Sequence, residues 1–199
     1  LMGSKTRPAV VKRRAERRFQ MILKEGKNRQ IRRMVRKVGN HVVALKRVRM
    51  ASIRLGKLKE GQLLKVVWRG QTIGVLRRTE ETLALLPEGD GDLRDPASQE
   101  SDQPEFAQNE SRALRDEYLV VNMHCTHLGC VPQGLPEVGA QPFDSDWKGG
   151  FFCPCHKSKF DMAGRVYKGV PAPSNLRIPP YSFLDDRTLI IGVNPEGVA

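Results

Sequence analysis

Two short boxes hold all four cysteines of the chain and two of its four histidines: Cys125-Thr126-His127-Leu128-Gly129-Cys130 and Cys153-Pro154-Cys155-His156-Lys157-Ser158. Each box contains one Cys-x-His or Cys-x-x-His pair and one additional cysteine. Thiolate and imidazole are ligands for iron and for zinc, so the chemistry indicated is metal binding, and two readings compete. A 2Fe-2S centre with mixed ligands takes two thiolates on one iron and two imidazoles on the other. The neutral imidazoles leave less negative charge around the metal, which eases uptake of an electron. A structural zinc ion is also satisfied by two cysteines and two histidines, but such sites ordinarily use longer spacing within each ligand pair and have no use for a second cysteine in each box. Disulfide staples scattered through a fold would not gather in this way.

The boxes need elements to hold them. Residues 117–121 are strand-like and lead into the first box. After the second come residues 164–167, the stretch Val170-Pro171-Ala172-Pro173, and strand-like residues 178–184 and 188–191, the last two separated by Asp185-Asp186-Arg187. Upstream, residues 63–68 and 72–76 read as strands joined by a hairpin turn at Arg69-Gly70-Gln71, and Thr79 is placed to cap a short helix over 80–86. Residues 87–110 are polar, acidic and rich in Gly, Pro, Asp and Gln, which predicts an exposed loop. Short strands at this spacing predict a mainly β, antiparallel domain over residues 61–199, with a metal-binding subdomain at about 122–174.

The remainder has a different texture. Residues 1–60 carry 20 Lys/Arg against 3 Asp/Glu, whereas residues 61–199 carry 14 against 19, so the net charge of +12 belongs to the N-terminal piece. That asymmetry predicts two parts with different partners, a polyanion for the first. The first part reads as a small basic α/β segment. Phe19, Met21 and Leu23 alternate as in a strand over 18–24; Asn28 is a candidate N-cap; Ile31, Met34, Val35 and Val38 recur at helical spacing; Gly39 stands where a C-terminal cap belongs. The opposite helix face is cationic, with Arg29, Arg32, Arg33, Arg36 and Lys37. Residues 42–45 and 48–55 read as further strands. An apolar content of 39% is enough for an ordinary core. No run approaches the roughly 18–20 apolar residues that span a bilayer. Arg17-Arg18 faintly resembles a twin-arginine export signal, but Glu25-Gly26-Lys27-Asn28-Arg29 follows where the apolar stretch should be.

Taken together, Cys-Thr-His-Leu-Gly-Cys, Cys-Pro-Cys-His-x-Ser-x-Phe-Asp, the following Gly-Arg-Val and Pro-Ala-Pro, and Pro179-Pro180-Tyr181 resemble the Rieske iron-sulfur subunit of ubiquinol:cytochrome c oxidoreductase. Trp68-Arg69-Gly70, Arg77-Arg78-Thr79 and Glu117-Tyr118-Leu119-Val120 extend the likeness over about residues 61–193. The resemblance implies a 2Fe-2S cluster held by Cys125, His127, Cys153 and His156, with Cys130 and Cys155 in a disulfide tying the two loops. Rieske ferredoxins that serve dioxygenases are the nearest rival and generally lack that second cysteine pair. The resemblance further implies one-electron transfer from ubiquinol to a membrane-bound c-type cytochrome beside cytochrome b, as an electron-transfer subunit that is not catalytic alone. His127 and His156 would meet the quinol, coupling electron to proton, and Leu128 would touch the quinone pocket. Ser158 matches a serine that tunes the cluster by bonding a bridging sulfide. Phe160 stands where many members have a tyrosine that bonds a cysteine sulfur. Lys157 stands where the family usually has Gly, and its Cβ strains the loop if the backbone needs a positive φ. His124 falls outside the ligand spacing and is expected to be a neighbour. The family's place is the periplasmic face of the bacterial inner membrane; the anchor and export signal it uses are not legible here.

Glu25-Gly26-Lys27-Asn28-Arg29-Gln30-Ile31-Arg32-Arg33-Met34, then Val38-Gly39-Asn40 and Leu45-Lys46-Arg47-Val48-Arg49, resemble the C-terminal end of RsuA-type ribosomal RNA pseudouridine synthases over about residues 13–60. That resemblance implies RNA contact through the cationic face. The Gly-Arg-Leu-Asp motif with the catalytic aspartate of those enzymes is not in this sequence, so no synthase activity is expected. The expectation is a chimera joined near residues 55–62, in which residues 1–60 either keep RNA contact or stand as an incompletely folded fragment.

Overall fold

A computed structural model of the chain describes residues 8–22, 29–44 and 51–195, and its contacts divide it into two compact units, Leu1–Arg47 and Val48–Ala199. In the first unit β1 (Val10–Ala15) pairs antiparallel with β2 (Arg18–Ile22), and α1 (Gln30–Lys37) follows. Helix α1 ends as its sequence predicts: Gly39 adopts φ +77, and the N–H groups of Gly39 and Asn40 return to the carbonyls of Arg36 and Val35. Val35 is buried, whereas Val38 is 73% exposed and so lies off the apolar stripe expected of it. The predicted N-cap Asn28 lies outside the described residues, and residues 42–44, expected in a strand, form none.

The second unit is built of three-stranded antiparallel sheets. In chain order its strands are β3 (Ala51–Arg54), β4 (Leu63–Trp68), β5 (Gln71–Arg77), β6 (Tyr118–Asn122), β7 (Gln133–Leu135), β8 (Gly150–Cys153), β9 (Ser158–Phe160), β10 (Tyr181–Asp185) and β11 (Thr188–Ile191). They assemble as β10-β11-β3, β4-β5-β6 and β7-β8-β9, a mainly antiparallel β fold as the patterning predicts. The unit begins earlier than expected. Strand β3 pairs with β11 residue for residue from Arg54↔Thr188 to Ala51↔Ile191, so the apolar run before residue 60 is the third strand of a sheet whose other members lie at the far end of the chain.

Local chemistry sets the turns. Strands β4 and β5 join through Arg69-Gly70, both at positive φ (53 and 80), the two-residue geometry whose twist suits a hairpin. The short helix α2 (Glu80–Ala84) opens on a capping box: the Thr79 hydroxyl accepts from Thr82 N–H at 3.2 Å and the Thr82 hydroxyl accepts from Thr79 N–H at 3.1 Å. Glu80 and Glu81 place negative charge at its N-terminal end, where the peptide dipoles favour it. Strand β5 is flanked on both sides, so Ile73, Gly74, Val75 and Leu76 are all buried, and β6 is buried throughout. A single apolar cluster runs from Ile53 to Ile191 and includes Cys125, Phe151, Cys153 and Phe160, so the metal-binding boxes sit on the same core as the sheets.

The segment over 87–110 is largely exposed, as predicted, but it is not exposed throughout. It contains short 3-10 turns at Pro87–Asp92 and Glu105–Ala107, and buries Leu93, Asp95, Ser98 and Ala107. Its buried polar groups are satisfied internally. Asp95 takes the N–H groups of Gln99 and Glu100 and the Ser101 hydroxyl.

Candidate metal centre

The two boxes fold as matching turns. The Cys125 carbonyl accepts from Gly129 N–H at 2.9 Å, and the Cys153 carbonyl accepts from Lys157 N–H at 2.9 Å. Each donor is four residues after its cysteine and has a positive φ, +80 at Gly129 and +61 at Lys157. Lys157 thus occupies a left-handed position that its counterpart fills with glycine, as anticipated. We predict that Lys157→Gly stabilises the chain by roughly 1 kcal/mol in denaturant melts, the left-handed penalty of a Cβ being partly offset by the greater freedom of glycine when unfolded. Gly150 is demanded more strongly, since a Cβ there would lie 2.0 Å from the Phe160 carbonyl oxygen.

Cys130 and Cys155 are bonded to one another and tie the two turns together. The sulfurs of Cys130, Cys153 and Cys155 lie within 4.8 Å of one another, but the disulfide leaves the first and third without a thiolate to offer. Cys125 and Cys153 remain as free, buried thiols. Burial raises the Cys125 pKa above its ordinary value and the adjacent Cys153 adds to the rise, while the His127 backbone N–H and the Ser158 hydroxyl bond to Cys125 and pull the other way. A buried thiol whose ionisation is disfavoured, as that of Cys125 is, is what a bound cation would relieve.

The imidazoles of His127 and His156 come from opposite turns and meet edge to face, their centroids 4.7 Å apart. His156 is exposed, and His127 is half-buried with its Nδ1 buried and without a hydrogen-bond partner. An orphaned buried nitrogen beside two free thiols and a second imidazole fits a metal centre with sulfur and nitrogen ligands. His124 is employed otherwise: its Nε2 accepts from Thr72 N–H at 3.2 Å, and its own N–H is held by Asn122 Oδ1 at 3.0 Å. Leu128, between His127 and Gly129, is 70% exposed.

A third loop closes the site. Ala172 N–H donates to Ser158 Oγ at 3.1 Å, and Thr126 Oγ1 donates to the Ser174 carbonyl at 2.6 Å, so the Pro-Ala-Pro stretch is fastened to both boxes. Phe160 is fully buried in the core. Arg29, Arg32, Arg33, Arg36 and Lys37 are exposed on the first unit.

Three arginines beneath these loops carry structural weight that their sequence did not signal. Arg78, Arg112 and Arg165 are buried. Arg78 donates to the carbonyls of Asp116, Ser111 and Met162, and Arg112 to those of Ala163, Gly164 and Leu176, so both cradle the chain that follows β9. Burial lowers the pKa of each to about 10, against the pull of Asp161. For Arg165 burial also acts to lower the pKa, but Asp161 and Asp90 outweigh it and hold the pKa above the ordinary value. The i,i+4 spacing of Asp161 and Arg165 was the available clue; their burial was not legible.

A pair of buried thiols and a pair of imidazoles, presented by disulfide-tied turns, fit a metal centre with two sulfur and two nitrogen ligands. The family model for the Rieske [2Fe-2S] domain matches residues 49–181. The chain belongs to this family, and its cofactor is the Rieske-type 2Fe-2S cluster. It is 50% identical over 138 residues to the ubiquinol-cytochrome c reductase iron-sulfur subunit of Allochromatium vinosum, a match covering 69% of this chain and 67% of that one. The corresponding subunit of Rhodospirillum rubrum is 40% identical over 141 residues, covering 70% and 69%. The mitochondrial cytochrome b-c1 complex subunit Rieske-1 of Arabidopsis thaliana is 43% identical over 141 residues, covering 70% of this chain but 44% of that protein. The chain therefore spans about two-thirds of the bacterial relatives and under half of the plant one. Among solved structures, a chain of a hyperthermophilic respiratory Complex III superposes with a TM-score of 0.43 at 23% identity, covering 70% of this chain and 72% of that one.

Proposed function

We propose that the chain moves single electrons from ubiquinol to a membrane-bound c-type cytochrome, beside cytochrome b, as the iron-sulfur subunit of a respiratory cytochrome bc complex. The observation that carries this reading is the convergence of Cys125 and Cys153, buried and free, with His127 and His156 at the tips of turns clasped by the Cys130–Cys155 disulfide. Bound there, a 2Fe-2S centre supplies reversible one-electron chemistry at a potential raised by its neutral ligands.

The protein's own groups do the rest. Cys125 and Cys153 supply thiolate ligands from the dry side of the loops, and His127 and His156 supply imidazoles from the side nearer solvent. A ligating imidazole keeps a second ring nitrogen that can take a hydrogen bond from a quinol hydroxyl and hold its proton. Leu128, 70% exposed, offers an apolar contact for a quinone pocket. The disulfide keeps both turns in place while the exposed His156 meets partners. The site would work at the periplasmic face of a bacterial inner membrane, as the bacterial family expectation has it. No helix among the described residues is long and apolar enough to cross a membrane.

The test is an EPR spectrum of the reduced purified chain combined with stopped-flow mixing against a soluble c-type cytochrome. A mixed-ligand 2Fe-2S signal that disappears as the cytochrome becomes reduced supports the reading; bound zinc with no signal would sink it. Phe160 gives a tuning prediction. Phe has no hydroxyl to donate to a ligand sulfur, so Phe160→Tyr raises the reduction potential in protein-film voltammetry, and an unmoved potential would count against a tuning role.

For residues 1–60 a second reading is RNA contact of the kind made by the C-terminal end of RsuA-type synthases, without their catalysis. The exposure of Arg29, Arg32, Arg33, Arg36 and Lys37, with no acidic residue in the first turn of α1, supports it. RNA retention on filters should fall steeply with added salt if those cations neutralise phosphates. Retention that is absent at low salt removes this reading and leaves the electron-transfer reading untouched.

A further inference from the structure

Among the ties between the polar segment over 87–110 and the metal-binding loops, which include Arg94 donating to the Val170 carbonyl at 3.2 Å, one is a fully buried amide, Asn175. The Asn175 Oδ1 accepts from Val166 N–H at 2.8 Å, and its Nδ2 donates to the Asp95 carbonyl at 2.9 Å and to the Ser98 hydroxyl at 2.8 Å. Its backbone N–H donates to the Ser101 hydroxyl at 3.2 Å, and that hydroxyl donates in turn to Asp95 Oδ2 at 2.6 Å. Main chain and side chain of this residue are thus both fastened to the stretch from Asp95 to Ser101.

Three residues upstream, Ala172 N–H donates to Ser158 Oγ at 3.1 Å. Within Pro171-Ala172-Pro173 the prolines have no N–H, so only Ala172 can make this bond, and their rings limit how the tripeptide can rearrange to keep it. A serine hydroxyl has one proton and two lone pairs. With Ala172 N–H on a lone pair, the Ser158 proton is left to turn toward the thiol pair: Ser158 stands directly opposite Cys153 on the neighbouring strand, and its hydroxyl acts to lower the pKa of Cys125. A donor aimed at a ligand sulfur stabilises the extra negative charge of a reduced centre and so raises its potential.

We propose that Asn175 is a positioning residue for the reduction potential: by tying the third loop to Asp95 and Ser98 it keeps Ala172 N–H on Ser158, and thereby keeps Ser158 a hydrogen-bond donor to Cys125. The proposal rests on the cluster reading given above. A purely structural Asn175 would also satisfy buried groups, but its loss would lower stability without acting on the potential through Ser158.

The experiment is a double-mutant cycle on the full, cluster-loaded chain, with midpoint potentials from protein-film voltammetry and denaturant melts in parallel. Asn175→Ala lowers the potential in the unsubstituted background, and that shift shrinks to less than half when Ser158→Ala is also present, because the hydroxyl through which it acts is gone. No shift, or equal shifts in both backgrounds, overturns the proposal. Because Asn175→Ala removes several buried bonds and can prevent folding, Ser98→Ala, which removes a single acceptor, is carried through the same cycle. A smaller downward shift that vanishes with Ser158→Ala is expected, and an additive or absent shift overturns the proposal equally. An unsubstituted chain without a mixed-ligand EPR signal removes the cluster reading and this proposal together, whereas a loaded chain with additive shifts removes this proposal alone.

Discussion

His127→Ala is expected to abolish the mixed-ligand EPR signal of the reduced chain, while His124→Ala leaves it in place. The two histidines are separated by only two residues between them, yet the fold uses them differently. His124 Nε2 already accepts the Thr72 N–H at 3.2 Å, so it has committed its lone pair to the β5 end of the sheet. His127 carries a buried Nδ1 with no partner and meets His156 from the opposite turn. Removing the first costs a hydrogen bond, on the order of 1 kcal/mol. Removing the second takes away, on the ligand set proposed above, one of two imidazoles on the same metal, a larger loss than the roughly 10–100-fold in affinity that follows from disturbing a ligand's hydrogen-bond support. The metal-free His127→Ala chain should melt close to the metal-free parent, since the orphaned nitrogen contributes no bond there. A signal that survives His127→Ala and disappears with His124→Ala would reverse the ligand assignment.

Arg165→Met is expected to destabilise the chain by about 3–5 kcal/mol in guanidinium melts, because it strands a buried carboxylate. The Arg165 side chain is fully buried; it bonds Asp161 Oδ2 and Asp90 Oδ1 at 2.7 Å each, and donates to the Leu86 and Pro96 carbonyls. Asp161 is buried too, and it would keep only the Ala163 and Arg165 backbone N–H groups as partners. The outer member of the network is different: Asp90 is 47% exposed, so Asp90→Asn should cost less than about 1 kcal/mol. Equal losses for the two substitutions would mean that Asp161 is reached by water and that the network is no more than a surface ion pair.

Much of the fold was legible because it is local. Strand β4, the Arg69-Gly70 turn, strand β5 and the Thr79 cap depend on residues within a few positions of one another, and each formed as predicted. Strand β3 was misassigned to the basic segment because its partner, β11, is more than a hundred residues away and leaves no mark on the sequence around residue 51. The stretch over 87–110 was legible only in part, for a related reason. Its Gly, Pro, Asp and Gln content signals irregular backbone correctly, but irregular is not the same as exposed. Asp95 and Ser98 are buried because Asn175 and neighbouring backbone groups satisfy them there.

By itself the sequence determined which groups could bind metal, since ligand chemistry belongs to residue type and the spacing within each box is short enough to survive any fold. It also determined the antiparallel class, through strand lengths and turn residues. The Cys130–Cys155 disulfide, which the family resemblance implied, is formed, and only the tertiary structure decided that His124 is spent on Thr72 and that Arg78, Arg112 and Arg165 lie in the interior. Those outcomes turn on distance and desolvation between residues far apart in the chain: a sequence records which groups carry a charge or a thiol, and only packing settles which of them water can reach.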